Sequence, residues 1–213
     1  YKVNSEEISK NSDLVLLTHR FANEHLPALK KIINDLNYNA KIFVDKPLVD
    51  SLTDIEEIKR IQKAYKTYDI TSFSPLRFCD ELKVIKDVIL QNKNDSIDIN
   101  ICAPISAEDI GNDKRFKSPL FYGVHAIEMG LEISKLIFEN KVDISTRFFK
   151  KSKKIDFKNQ NKSIKVSLEP SSFEFYKLEL LINEKKIFDK NINLDGSYYL
   201  NCAQLLMEFC KKG

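Results

Sequence analysis

The sequence predicts an α/β half followed by an α+β half: part of a parallel sheet, then a mostly antiparallel open sheet with helices on one face. Three observations carry this. The first 75 residues alternate apolar runs with amphipathic helical stripes, the order that builds right-handed parallel crossovers. Beyond residue 76 the strand-like runs are separated by short turns, the pattern of antiparallel pairing. The whole chain, 213 residues with 43% hydrophobic and 31% charged, has ample material for buried cores.

Asp13 to Thr18 reads DLVLLT, a continuous apolar run expected of a parallel strand buried on both faces. Glu24 to Leu36 follows as a helix, with Leu26, Leu29, Ile32, Ile33 and Leu36 at helical spacing. Ile42 to Asp45 is the next strand, and Pro47 ends its ladder because it has no N–H to donate. Thr53-Asp-Ile-Glu56 matches a capping box opening a helix with Ile55, Ile58, Ile61 and Tyr65 on its apolar face. Asp69 to Ser74 gives a third strand. Three strands with no glycine-rich first turn read as the second half of a doubly wound, Rossmann-like domain over residues 1–76. The chain opens on Tyr1 rather than Met, so the first βαβ units are expected upstream of it.

Residues 77–213 form the second predicted domain. Phe78 to Leu90 reads as a helix and Ser96 to Ile105 as a strand, followed by a polar loop over 106–118. Tyr122, His125, Ala126, Met129, Ile133, Leu136 and Ile137 make the most regular helical stripe in the chain. Strand runs over 142–149, 163–169, 173–183 and 186–193 predict an antiparallel meander. A last helix, Ser197 to Lys211, carries Tyr199, Ala203, Leu206, Met207 and Cys210 on its face, with Gly213 as its cap.

Composition excludes several partners. A net charge of +3 is too small to imply nucleic acid, because phosphate binders concentrate basic residues on one face. Lys150, Lys151, Lys153 and Lys154 cluster as solvated turns do. No apolar stretch approaches the ~20 residues that span a bilayer, and no signal-peptide pattern opens the chain. The expectation is a cytoplasmic protein with no membrane partner. Cys79, Cys102, Cys202 and Cys210 show no C-x-x-C spacing, which argues against a metal site or disulfides and for small buried hydrophobes. The five glycines include no pair with the spacing of a phosphate-cradling loop.

Lys46 is the residue most apt to report a function. Ligands of open α/β sheets bind outside the carboxyl ends of the strands, and the run IFVDKPL sets an ammonium group at such a tip. The competing reading is a strand end that is charged because it leaves the core. Thr18, His19 and Arg20 follow the first strand at the same edge. For His25, on the next helix, structural packing and a cofactor-side contact are both open. Arg77 follows a predicted strand end, as a hold for an anionic or polyhydroxyl substrate or as a hinge ion pair. His125 falls in the first turn of a helix beginning near Tyr122, either a satisfied core histidine or a proton carrier lining a cleft. Glu128, three residues later, shares its face.

These segments together resemble the glucose–fructose oxidoreductase and inositol dehydrogenase (Gfo/Idh/MocA) family of NAD(P)-dependent oxidoreductases, over nearly the whole chain and in the family's order. DLVLLT followed by His25 is similar to its strand, threonine and downstream histidine. IFVDKPL resembles its E-K-P signature, with Asp45 for the usual glutamate. SPLRF at 74–78 resembles the strand end that enters the second domain, and FYGVHAIE at 121–128 the helix bearing the active-site histidine. MEFCKKG resembles the late helix and its lysine–glycine turn.

The resemblance implies a Rossmann domain that binds NAD or NADP and a second domain that supplies substrate contacts and an oligomer interface. It implies catalysis by Lys46 and His125, and cofactor contacts from Thr18, His19, Arg20, His25, Asp45, Lys46 and Pro47. Substrate contacts fall to Arg77, Tyr122 and Glu128, and no metal is implied. The implied activity is hydride transfer between the nicotinamide and a sugar, cyclitol or related hydroxy-compound, in a homo-oligomer joined through the second-domain sheet. Phe121 departs from the pattern, because the family often has aspartate four residues before the histidine. About 50–80 upstream residues with a phosphate loop are expected by the same analogy, and the chain alone is expected to be inactive. A non-catalytic binding or assembly protein that retains the substrate-domain sheet is the alternative, favoured by Phe121 and the missing glycine loop.

Overall fold

The computed structural model describes residues 12–19, 21–33, 41–49, 51–65, 69–104, 120–138, 142–149, 152–169, 176–192 and 196–211. The chain divides into two compact units, residues 1–74 with 205–213, and residues 75–204. Among the described residues, no helix is long and apolar enough to cross a membrane.

The first unit runs β1 (Leu14–Leu17), α1 (Ala22–Ile33), β2 (Lys41–Val44), α2 (Leu52–Ala64) and β3 (Asp69–Thr71). The strands pair in parallel in the order β1-β2-β3, with Val15 opposite Ile42 and Ile42 opposite Ile70. Central β2 is the strand buried on both faces, through Ile42, Phe43 and Val44. DLVLLT differs from expectation: Leu16 is 50% exposed, because β1 is the outer strand of the described sheet. The core gathers Leu17 with Leu26, Leu29 and Ile33 of α1 and Ile58 and Ile61 of α2.

The cap of α2 also differs. Ser51, not Thr53, is the N-cap: it is extended (φ −128°, ψ 150°) and its hydroxyl accepts from the Asp54 N–H at 3.1 Å. Starting the helix two residues earlier turns Ile55 and Tyr65 outward and leaves Ile58 and Ile61 as the buried pair. Leu36 lies outside the described residues.

The second unit opens with a short 3₁₀ turn (Pro75–Phe78) and α3 (Asp80–Gln91), then β4 (Ile97–Pro104) and α4 (Leu120–Ile137). Five strands follow: β5 (Asp143–Phe148), β6 (Lys153–Asn159), β7 (Lys162–Glu169), β8 (Lys177–Ile182) and β9 (Lys185–Asn191). The sheet order is β5-β6-β7-β4-β8-β9, antiparallel except that β4 and β7 run parallel. The meander is therefore interrupted, with early β4 seated between β7 and β8. The sequence reading also missed β6. Lysines at 153, 154 and 158 hide its alternation, yet Ile155 and Phe157 pair inward and Lys153 and Lys154 belong to the ladder, not to a turn. Lys150 and Lys151 lie outside the described residues.

Strand alternation separates the two faces of this sheet. Ile97, Ile99 and Ile101 of β4, Ile164 and Val166 of β7, and Leu178 and Leu180 of β8 are fully buried and share a core with α3 and α4. Asp98, Asn100, Lys165 and Glu179 alternate onto the other face. Gly130 permits the close approach of α4, since a Cβ there would stand 3.0 Å from Val166 Cγ2. The last helix, α5 (Ser197–Lys211), presents a different side from the one expected. Cys202 is buried while Tyr199, Ala203 and Met207 are exposed. Asn201 Nδ2 donates to the Phe78 carbonyl at 2.9 Å, and Cys202 follows inward. The Cys210 side chain and Gly213 lie outside the described residues.

Candidate active site

The candidates of the first unit gather at the carboxyl edge of its sheet. A buried central strand delivers the next residues to that edge, so Asp45 and Lys46 emerge there partly exposed, beside exposed Thr18 and His19 at the end of β1. The Asp45 N–H donates to the Leu17 carbonyl at 2.8 Å, which carries the β1–β2 ladder one step further. The Asp45 carboxylate then turns back and accepts from the Lys46 N–H at 2.8 Å. The Lys46–Pro47 peptide is cis, and Pro47 is buried.

His25 lies beneath this turn, only 1% exposed. Its Nδ1 is 3.0 Å from the Pro47 carbonyl oxygen and 3.2 Å from that of Leu48, and its Nε2 is 2.8 Å from the carbonyl oxygen of His19. The His25 ring is engaged with the backbone on both sides. The His19 ring stands edge-on to it, 6.1 Å between centroids. Arg20 lies outside the described residues.

In the second unit α4 begins at Leu120, so His125 sits in its second turn, not its first. The His125 ring is partly buried and meets Tyr176 edge-on at 5.6 Å. Tyr176 is itself buried, and its hydroxyl donates to the Tyr122 carbonyl at 3.3 Å. His125 is thus steadied against an aromatic wall without being sealed in the core. The Phe121 side chain lies outside the described ones.

Arg77 and Glu128 lie in one network of ion pairs. Arg77 Nη1 lies 3.8 Å from Glu128, and Nη2 donates to Glu132 at 2.7 Å, with the guanidinium 5.9 Å over the Phe78 ring. Arg77 Nε is buried with no acceptor among the described residues. Two carboxylates four residues apart on α4 present one acidic face to this half-buried cation. Lys86 and Lys135 reach the same Glu132 at 3.2 and 2.9 Å. Burial pushes the Glu132 carboxyl up, but hydrogen bonds from Lys135, Arg77 and Lys86 outweigh it and bring the group down to about 2.

Sequence reasoning missed Glu132 and Tyr176. Glu132 had a signal, its i+4 spacing from Glu128; Tyr176, just ahead of a strand, had none. Cavities of about 250 and 350 Å³ flank the β6–β7 turn, lined by Lys158, Asn161 and Lys162 among others, and hold none of the predicted site residues. Among the described residues, no group of three or more His, Cys, Asp or Glu side chains is arranged to hold a metal ion.

No protein-family model matches the chain, and no curated protein matches it in sequence. Solved structures do match. A dehydrogenase (MviM) from Clostridium difficile superposes with a TM-score of 0.60 at 22% identity, over 84% of this chain and 57% of its own. The WlbA (WbpB) dehydrogenase from Thermus thermophilus, solved with NAD and UDP-GlcNAcA, gives 0.63 at 13% identity, over 92% and 66%. A Gfo/Idh/MocA family oxidoreductase from Vibrio cholerae gives 0.64 at 10% identity, over 94% and 70%. The chain thus spans little more than half the length of the first of these. With its parallel three-stranded sheet and its mixed six-stranded sheet, it has the fold of the Gfo/Idh/MocA-type dehydrogenases over the part it spans.

Proposed function

We propose that this chain belongs to the Gfo/Idh/MocA family and works in a nicotinamide-dependent oxidoreductase acting on a hydroxyl-bearing carbon of a sugar, nucleotide sugar or cyclitol. The observation that carries the reading is Lys46: an ammonium group at the carboxyl end of the central parallel strand, on a turn fixed by Asp45 and His25. The fold likeness supports the class of chemistry, and the NAD and UDP-GlcNAcA bound by the Thermus enzyme support the cofactor and the kind of substrate.

The donors at this edge fit the nicotinamide end of a dinucleotide. The Thr18 hydroxyl and His19 ring are exposed and Lys46 partly so, a set suited to carboxamide and ribose hydroxyl groups. They do not form a pyrophosphate cradle, since the glycines of these 213 residues lack the spacing for one. When bound, the nicotinamide supplies the hydride acceptor or donor. The chain's own residues suit the handling of charge and proton: an ammonium such as Lys46 stabilises negative charge developing on an oxygen, and an imidazole such as His125 takes up a hydroxyl proton. The cysteines of the sequence show no paired spacing, which supports a reducing compartment, the cytoplasm. The polar face of the six-stranded sheet carries both signs of charge, which supports a two-fold pairing of copies there.

The test is turnover with NAD(H) or NADP(H) against polyols and nucleotide sugars in the intact protein. Lys46→Met and His125→Asn should each lower kcat by about 10²–10⁴-fold. The unfolding midpoint should move by no more than about 2–4 °C. Undiminished turnover in both variants sinks the reading. Ligand binding with no turnover in the unmodified protein favours the binding or assembly role, for which Phe121 in place of a carboxylate is the specific observation.

A further inference from the structure

We infer that His25 is the positioning residue for Lys46, a two-sided tether that joins the segment after β1 to the segment after β2. The inference rests on Lys46 being the reacting cation. The geometry behind it is independent of that reading. One buried ring approaches the Pro47 and Leu48 carbonyl oxygens from Nδ1, at 3.0 and 3.2 Å, and the His19 carbonyl oxygen from Nε2, at 2.8 Å. Carbonyl oxygens only accept, and a neutral imidazole carries one N–H and one lone pair. Such a ring bonds one side of the gap and turns a lone pair on the other. On whichever side the N–H lies, the ring is wedged between both segments and holds them in register through one hydrogen bond and close packing.

The consequence for Lys46 follows from the chain path. The Asp45 N–H is held by Leu17 and the Lys46 N–H by the Asp45 carboxylate, so the turn is fixed on its strand side. His25 fixes it on the other side at Pro47 and Leu48, and Lys46 is left between two anchored points. The same ring ties down His19, whose own ring stands 6.1 Å away, so Thr18–His19 and Asp45–Lys46 are set by one side chain. Among the described residues, the charged and titratable groups next to the tether are His19 at the end of β1, Glu24 beside His25 on α1, and Asp45 and Lys46 on the turn.

Measurements on the full chain test this. In protein with ¹³C-methylated lysines, His25→Phe fills the space but donates to neither side. It should displace the Lys46 signal, assigned with Lys46→Arg, and speed exchange of the Asp45 and Lys46 amides about tenfold or more. His25→Gln, which keeps a donor, should recover part of both, and it carries the test if His25→Phe does not fold. A native Lys46 signal in either folded variant reduces His25 to a space filler. Lys46→Met with full turnover would instead sink the catalytic reading and leave the tether standing.

Discussion

Replacing Glu132 with glutamine should destabilise the second unit at neutral pH and do progressively less as the solution is acidified. The substitution keeps the side chain's size but removes the negative charge on which Arg77, Lys86 and Lys135 converge at 2.7, 3.2 and 2.9 Å. In the folded chain the carboxyl sits at about 2, against an ordinary value of 4.5. At about 1.4 kcal/mol per unit, that difference sets a ceiling of ~3.5 kcal/mol. The Lys135 side chain is 64% exposed, so water screens part of the network and the expected loss is about 1–2 kcal/mol. A carboxyl lowered by folding stabilises fully above its unfolded value, and that contribution is lost as pH falls through the folded value. The window is therefore pH 5 to 2, and more than half of the effect should be gone by pH 3. Urea unfolding at pH 7 should show a midpoint lower by about 0.5–1 M, with unchanged slope. A difference between the two proteins that is the same at pH 7 and pH 3 refutes the reasoning, because a packing defect has no reason to titrate.

Two further outcomes are expected. Ser51→Ala should cost about 0.5–2 kcal/mol in the first unit by stranding the Asp54 N–H, while Thr53→Ala should cost next to nothing; the reverse order in thermal melts would restore the capping box at Thr53. Burial pushes the Cys79 thiol up to about 12, so it should resist iodoacetamide at pH 8 in the folded chain and react on unfolding. Prompt labelling of Cys79 in native protein would contradict its place in the core.

Much of the fold was legible because its signals are local. Ile42 to Val44 is unbroken apolar sequence and became the doubly buried strand, and the stripe from Ala126 to Ile137 became the face of α4. Two of the failures depended on a partner distant in sequence, whereas the cap at Ser51 and the lysine-masked β6 were local. The roll of α5 is set with Phe78, and the insertion of β4 between β7 and β8 is settled by pairing that no local window contains. The site divides the same way. The place of Lys46 at a strand tip was readable from the apolar run and the proline, but the contacts of His25 were not, because its partners are main-chain oxygens 6, 22 and 23 positions away. Side-chain chemistry marks a residue in sequence; backbone acceptors leave no mark.

The seat of β4 also bears on how the protein is made. Its Asp98 meets Ser163, 65 positions later, and its Asn100 meets Glu179, 79 positions later. The β6–β7 and β8–β9 hairpins close within microseconds of being available. On a ribosome adding roughly 5–20 residues per second, β4 emerges about 3–13 s before its first neighbour exists. Through that interval Ile97, Ile99 and Ile101 have no strand to pair with, which is when a chaperone would engage the nascent chain. A lesion in β7 or β8 prolongs that wait, so it should lower the yield of folded protein in the cell more than the stability of the molecules that complete the sheet.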